Sequence, residues 1–196
     1  MPLPTEILAT PTKRFFVEML TRDIDLDEAI LDLLDNCVDG VLRVNGYHPE
    51  VGRPYRNYGA QLKFTGQEFV ISDNCGGIPE DIITTAFLLG RPFGMREDND
   101  VPTVGLYGIG MKRAIFKLGR ECTVISRGKR SGFSVTFPEK WFTSEKEWGL
   151  EVAAVPGDPK NPGTTITVRR LHEEIVPGLV ESGGSRLSAR YATCSC

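Results

Sequence analysis

Histidine is scarce in this sequence, and its cysteines are scattered. His48 and His172 stand alone, and Cys37, Cys75, Cys122, Cys194 and Cys196 contain no CxxC pair. That spacing excludes a cysteine- or histidine-built zinc or iron centre. An odd, unclustered set of cysteines also argues against a disulfide framework and for free thiols in a reducing compartment. No uninterrupted apolar run approaches the ~18 residues of a membrane span, and no charged-then-apolar leader opens the chain. A membrane is therefore not expected as a partner, and a cytoplasmic address follows. Neither sign of charge dominates, with 23 Lys and Arg against 26 Asp and Glu and a net charge of -3, so nucleic acid is not indicated. Internal repeats are also missing.

What is present is enough for one core and too little for two: 196 residues, 40% hydrophobic and 25% charged. The clearest element is a helix over residues 25–43. Asp25 is placed to cap it, Glu28 completes a capping box, and apolar residues from Leu26 to Leu42 recur with helical period. Strands are expected at 61–64 and 68–72, the second running into the turn Asp73-Asn-Cys-Gly-Gly. Pro79 opens a second helix that Gly90 is placed to end, and residues 91–104 read as a mobile loop. The cluster Gly105, Gly108, Gly110 leads into a third helix over 111–118, with Gly119 past its end. Short β-rich runs follow at 121–126, 132–137, 150–155 and 164–170, the first two forming a hairpin across residues 127–130. Three helices on one face of a mixed, mostly antiparallel sheet give an α+β two-layer sandwich. From Val176 onward pattern is lost. The expected division is a domain over 1–175 and a flexible tail, or the start of a following region, over 176–196.

Four constellations carry chemistry. On the first helix Asp32, Asn36 and Asp39 are spaced i, i+4, i+7 and fall within roughly 60° of one another. Taken alone, this is first of all the solvent face of an amphipathic helix. It is nevertheless almost purely acidic, and Asn36 and Gly40 are poor mid-helix residues; a bound cation would explain both. Magnesium takes one or two protein oxygens and fills its shell with phosphate and water, which suits such a face. The turn Asp73-Asn74-Cys75-Gly76-Gly77-Ile78 ends a buried strand, where it is either only a turn or the place from which the Asp73 carboxylate accepts an exocyclic amine. Residues 105–112, Gly-Leu-Tyr-Gly-Ile-Gly-Met-Lys, put three glycines before a helix whose free amides suit phosphate. Their GxxGxG spacing is neither a Walker A loop nor a dinucleotide GxGxxG. Last, Gly163-Thr164-Thr165 opens a strand, and the Thr164 hydroxyl could bridge to a base beside Asp73.

In this order the four features resemble the GHKL family of ATP-binding domains, named for gyrase, the heat-shock chaperone of ninety kilodaltons, histidine kinases and MutL. The likeness covers residues 25–170. DLLDNCVDG is similar to the family's N-box, DNCGGI to its DxGxG turn, GLYGIGMK to its GxxGxG loop and GTTITV to its last box. The surroundings of the N-box and the lysine after GIGM look closest to the MORC and gyrase-like branch. The resemblance implies the family's α/β sandwich, ATP or ADP with Mg²⁺ over the sheet, and a lid formed by residues 91–104. It implies Asn36 as the Mg²⁺ ligand, Asp39 as a pocket residue near the base, and Asp73 as the adenine reader, with Gly77, Ile78 and Thr164 beside it. Gly105, Leu106, Tyr107, Gly108, Ile109, Gly110, Met111 and Lys112 would form the phosphate loop. Asp32 stands where hydrolytic members carry a glutamate that orients the attacking water, one methylene shorter. Cys75 replaces the first glycine of DxGxG, so either the turn is altered there or the φ at that position is ordinary.

The function expected is Mg²⁺-dependent ATP binding with slow hydrolysis. It would drive lid closure and an ATP-dependent homodimer in a larger protein, with output through downstream domains or partner proteins. A non-hydrolysing ATP-binding switch is the alternative, since Asp32 is short. A protein or histidine kinase is a third reading, although neither histidine lies in a phosphoacceptor helix.

Overall fold

A computed structural model describes residues 5–7, 9–46, 55–90 and 108–179. The expected lid, residues 91–104, and Gly105, Leu106 and Tyr107 of the glycine loop lie outside them.

The chain folds into an α+β two-layer arrangement. Six strands, β1 (Ala60–Phe64), β2 (Glu68–Asp73), β3 (Gly119–Arg127), β4 (Ser131–Phe137), β5 (Val152–Pro156) and β6 (Gly163–Leu171), form one open sheet in the order β1-β2-β6-β3-β4-β5. Among the described residues every pairing is antiparallel. Side chains alternate across the pleat, and the apolar set, including Phe69, Ile71, Cys122, Val124, Val135, Ile166 and Val168, is buried in the core shared with the helices. On the opposite face Ser72 lies across from Thr165, and Thr123 from Thr136, with hydroxyl separations of 3.1 and 3.3 Å.

The last strand in sequence, β6, inserts between β2 and β3. It pairs Ser72 with Thr165 on one side and Ser126 with Thr164 on the other. This crossover brings residues 163–164 beside the end of β2.

Among the helices, α2 (Leu26–Val44) follows its capping box, with Glu28 Oε2 accepting from the Asp25 N–H at 3.2 Å. Its stripe of Ala29, Ile30, Leu33, Cys37 and Val41 is buried. Helix α4 (Gly110–Leu118) buries Met111, Ala114, Ile115, Phe116 and Leu118. Gly119 does not end α4 in a left-handed turn. It is extended, at φ -173°, and starts β3 directly; a Cβ there would lie 2.6 Å from the Arg169 carbonyl oxygen. The helix expected between Pro79 and Gly90 is shorter, a 3₁₀ turn over Glu80–Ile82 and then α3 (Ile83–Phe87). The β-branched run Ile82, Ile83, Thr84, Thr85 has little helix propensity to extend it. Among the described residues no helix is long and apolar enough to cross a membrane.

Two helices appear that periodicity does not reveal, α1 (Lys13–Thr21) and α5 (Glu139–Thr143). Thr12 caps α1 by accepting from the Phe15 N–H at 3.2 Å. Its anchor is a buried lysine. Lys13 is fully buried, with Nζ 4.1 Å from the centroid of Trp141 and 5.0 Å from that of Trp148. It donates to the Trp141 carbonyl at 2.7 Å and also to that of Glu147. Structure also continues past Val176, where the tail was expected to begin: residues 175–179 are helical, and Ile175 and Leu179 are buried.

Replacing the Lys13 ammonium strands two carbonyls and removes a cation–π contact. Lys13→Met should therefore cost about 2–3 kcal/mol, read as a fall in the urea unfolding midpoint. An unchanged midpoint would show that α1 is held by its apolar contacts alone.

Candidate functional site

The site is built along α2. Near its middle the Asp32 carboxylate, half-buried, faces the start of α4. Arg113 Nε and Nη2 both donate to Asp32 Oδ2, at 2.9 and 2.7 Å. Asn36 is exposed, and its Nδ2 donates to the Asp32 carbonyl at 2.6 Å. The acidic residues of this face feel one another. The carboxyl of Asp35 is raised above its ordinary value, first by burial and then by the charges of Asp32 and Asp39.

One turn further on, α2 closes against the Asp73 turn. Gly40 is buried, and a Cβ there would lie 2.5 Å from the Cys75 carbonyl oxygen. A mid-helix glycine is thus accounted for by close approach, not by a bound cation as its sequence context suggested. The turn itself is made by Gly76 and Gly77, at φ of 92° and 74°. Cys75 has no positive φ, so an ordinary backbone is what replaces the first glycine of the motif. Arg43 Nη2 donates to the Gly77 carbonyl at 2.7 Å, and Ser126 Oγ, fully buried, accepts from the Ile78 N–H at 2.6 Å. Neither Arg43 nor Ser126 carries a sequence signal for this role.

Asp73 ends β2 with its carboxylate pinned at one oxygen. Oδ1 accepts from the Cys75 N–H at 2.7 Å and from the Thr164 N–H at 3.2 Å. Thr164 therefore reaches Asp73 through its backbone N–H. The crossover makes this possible, and glycine at 163 is required because a Cβ there would collide with the Asp73 carbonyl. Burial raises the Asp73 carboxyl above its usual range, an effect opposed by the two N–H donors and by the thiols of Cys37 and Cys75. The Cys37 thiol is pushed up in turn by its contact with Cys75, by burial and by Asp73.

The glycine loop enters α4 through Gly108, at φ 65°, and Ile109, which provides no side-chain cap. The first amides of α4 have no acceptor within the helix. Gly110 opens α4 directly against Asp32, and a Cβ on it would sit 3.4 Å from Asp32 Cγ. Met111 buries its side chain. Lys112, expected as a phosphate contact, is buried, and its ammonium donates to the Ala86 carbonyl at 2.8 Å and to that of Gly108. Asp39 is half-buried on the same face of α2. Contacts thus join Asp32 to Gly110 and Asp73 to Thr164, and α2 meets the Asp73 turn where Gly40 approaches Cys75.

A carboxyl raised by folding stabilises the folded state most when protonated. That contribution is complete below the unfolded value near ~3.9 and is lost as pH rises through the folded one. Asp73→Asn removes the loss. Over a pH window rising from about 4, the variant's urea midpoint should gain on that of the wild type. A difference constant across that window would contradict the raised carboxyl.

The family model for the histidine kinase-, DNA gyrase B- and HSP90-like ATPases matches residues 24–159, from the start of α2 through β5. No curated protein matches the chain. The matched segment carries the α2 face, the Asp73 turn and the glycine loop. The chain belongs to the family of histidine kinase-, DNA gyrase B- and HSP90-like ATPases, whose domain binds ATP.

Proposed function

We propose that this domain binds ATP as its Mg²⁺ complex and hydrolyses it slowly, using nucleotide to drive closure of residues 91–104 and association of two copies within a larger protein. The observation that carries the reading is the pairing, along one helix, of a half-buried, anchored carboxylate with a helix N-terminus that has no side-chain cap. Asp73 stands at one end and the first amides of α4 at the other. Asp32 and Gly40, which mark the two contacts on α2, are about 12 Å apart along its axis.

Asp73 suits an adenine. Its carboxylate accepts but does not donate when ionised, so it favours an exocyclic amine and disfavours the carbonyl that guanine offers at that edge. Two N–H groups on Oδ1, with the thiols of Cys37 and Cys75 beside it, hold the carboxylate in a fixed orientation. The α4 amides are suited to polyphosphate, and Lys112 holds the loop that presents them. Asp39 lines the side of the pocket nearer the base.

The donor set fits magnesium. Asn36 offers a hard oxygen from an exposed side chain on a face where carboxylates already repel one another. Among the described residues no group of three or more His, Cys, Asp or Glu forms a metal cage. Asn36 would therefore share the ion with phosphate and water. Bound there, Mg²⁺ supplies charge neutralisation on the phosphates. Asp32 orients the attacking water, and its single methylene makes hydrolysis slow.

A second reading, a nucleotide switch without turnover, draws on the Arg113 pair that already occupies Asp32. The finer likeness to MORC and gyrase-like domains would give either version output through following domains or partner proteins. Three buried free thiols among the described residues suit a reducing cytoplasmic setting.

Isothermal titration with ADP or a non-hydrolysable ATP analogue plus Mg²⁺ tests the reading. The wild type should bind, Asp73→Asn should bind at least about tenfold more weakly, and Asn36→Ala should lose the dependence of affinity on Mg²⁺. Absence of heat with the wild type, or Asp73→Asn binding like the wild type, would refute it. Equal phosphate release by the wild type and Asp32→Asn would leave the switch.

A further inference from the structure

The least exposed ion pair among the described residues joins α4 to the residue proposed to orient water. Arg113 and Asp32 have side chains 33% and 19% exposed, and all the other described pairs are more open. We propose that Arg113 is the positioning residue for Asp32, an inference that rests on the hydrolytic reading above.

The geometry is particular. A guanidinium usually grips a carboxylate through both oxygens, one N–H to each. Here Nε and Nη2 both converge on Oδ2. Among the described residues no hydrogen bond reaches Oδ1, and it faces Gly110, where a Cβ would lie 3.5 Å away. Arg113 thus fixes the carboxylate by one oxygen and leaves the other at the amide end of α4, where the polyphosphate is proposed to lie. Arginine accepts no proton and offers no acceptor, so it cannot replace Asp32; it can only hold it. The spacing has a helical cause. Gly110 and Arg113 are i and i+3 on α4, so the residue that Asp32 packs against and the residue that grips it share one face.

A purely structural cross-link explains this less well. The helices already share a core through Ile30, Leu33 and Cys37 on α2 and Met111, Ala114 and Ile115 on α4, and a partly exposed ion pair adds little to such packing. Positioning has a clear use here, because an aspartate lacks the reach of a glutamate and about 1 Å of misplacement costs on the order of a hundredfold in rate.

The test is steady-state phosphate release by the full chain with ATP and Mg²⁺, alongside the Kd for ADP with Mg²⁺. The variants are Arg113→Gln, Arg113→Lys, Asp32→Asn and the double variant Asp32→Asn/Arg113→Gln. Arg113→Gln should lower kcat by about tenfold or more while the Kd for ADP stays within about twofold of wild type. Arg113→Lys, which keeps charge but loses the fork, should fall between them, and it carries the test if Arg113→Gln fails to fold. In the Asp32→Asn background Arg113→Gln should have no further effect. Wild-type kcat in Arg113→Gln, additive losses in the double variant, or a parallel loss of ADP affinity would each overturn the proposal. A wild type that binds ADP but releases no phosphate removes the hydrolytic reading and this role with it.

Discussion

Burying a carboxylate at the end of a strand is costly unless hydrogen bonds to the charged form offset the lost water. At Asp73 that offset comes from two N–H groups far apart in sequence, Cys75 just after the strand and Thr164 on β6. Most of the pocket's architecture follows from delivering both. Strand β6 must lie between β2 and β3, residue 163 must be glycine so that two backbones can meet, and the turn must double back through Gly76 and Gly77. The carboxyl still lies above its ordinary range, so the protein retains a cost there that a hydrogen-bond donor on a ligand would relieve.

Helix α2 converts that local arrangement into a site. Its apolar stripe fixes its rotation on the core, and this rotation sets Asp32 against the start of α4. Its position along the axis is set by two close approaches, Gly40 on the Cys75 carbonyl and Asp32 on Gly110. The first needs a residue without a side chain, since a Cβ at position 40 would lie 2.5 Å from the Cys75 carbonyl oxygen. Lys112 and Lys13 make a related point about charge. Each is buried with its ammonium donating to backbone carbonyls, which tie α1 to the Trp141 segment and α4 to α3.

The features legible in the sequence are those written in local pattern. The capping box of Asp25 and Glu28, the stripe of α2, the alternation of β2, β3 and β4, and the glycines before α4 all depend on neighbours within a few residues. Helix α1 was not legible, because a charged residue fills its most buried position and spoils the periodicity. Strand order was not legible either, since nothing within β6 states that it crosses to the middle of the sheet. Gly40 was visible but misattributed, because helix propensity records its cost and not the carbonyl that required it. Arg113 carried no signal: on the helix it is one basic residue after another, and only the packing of α4 on α2 sets it against Asp32.

The central claim is that one nucleotide spans Asp73 and the start of α4 along the face of α2. A crystal structure of the chain with a non-hydrolysable ATP analogue and Mg²⁺ tests it most directly. The account predicts the adenine amine within hydrogen-bond reach of Asp73, the metal on the Asn36 side-chain oxygen, and phosphates against the first amides of α4. Nucleotide bound elsewhere, or with its base away from Asp73, would contradict it.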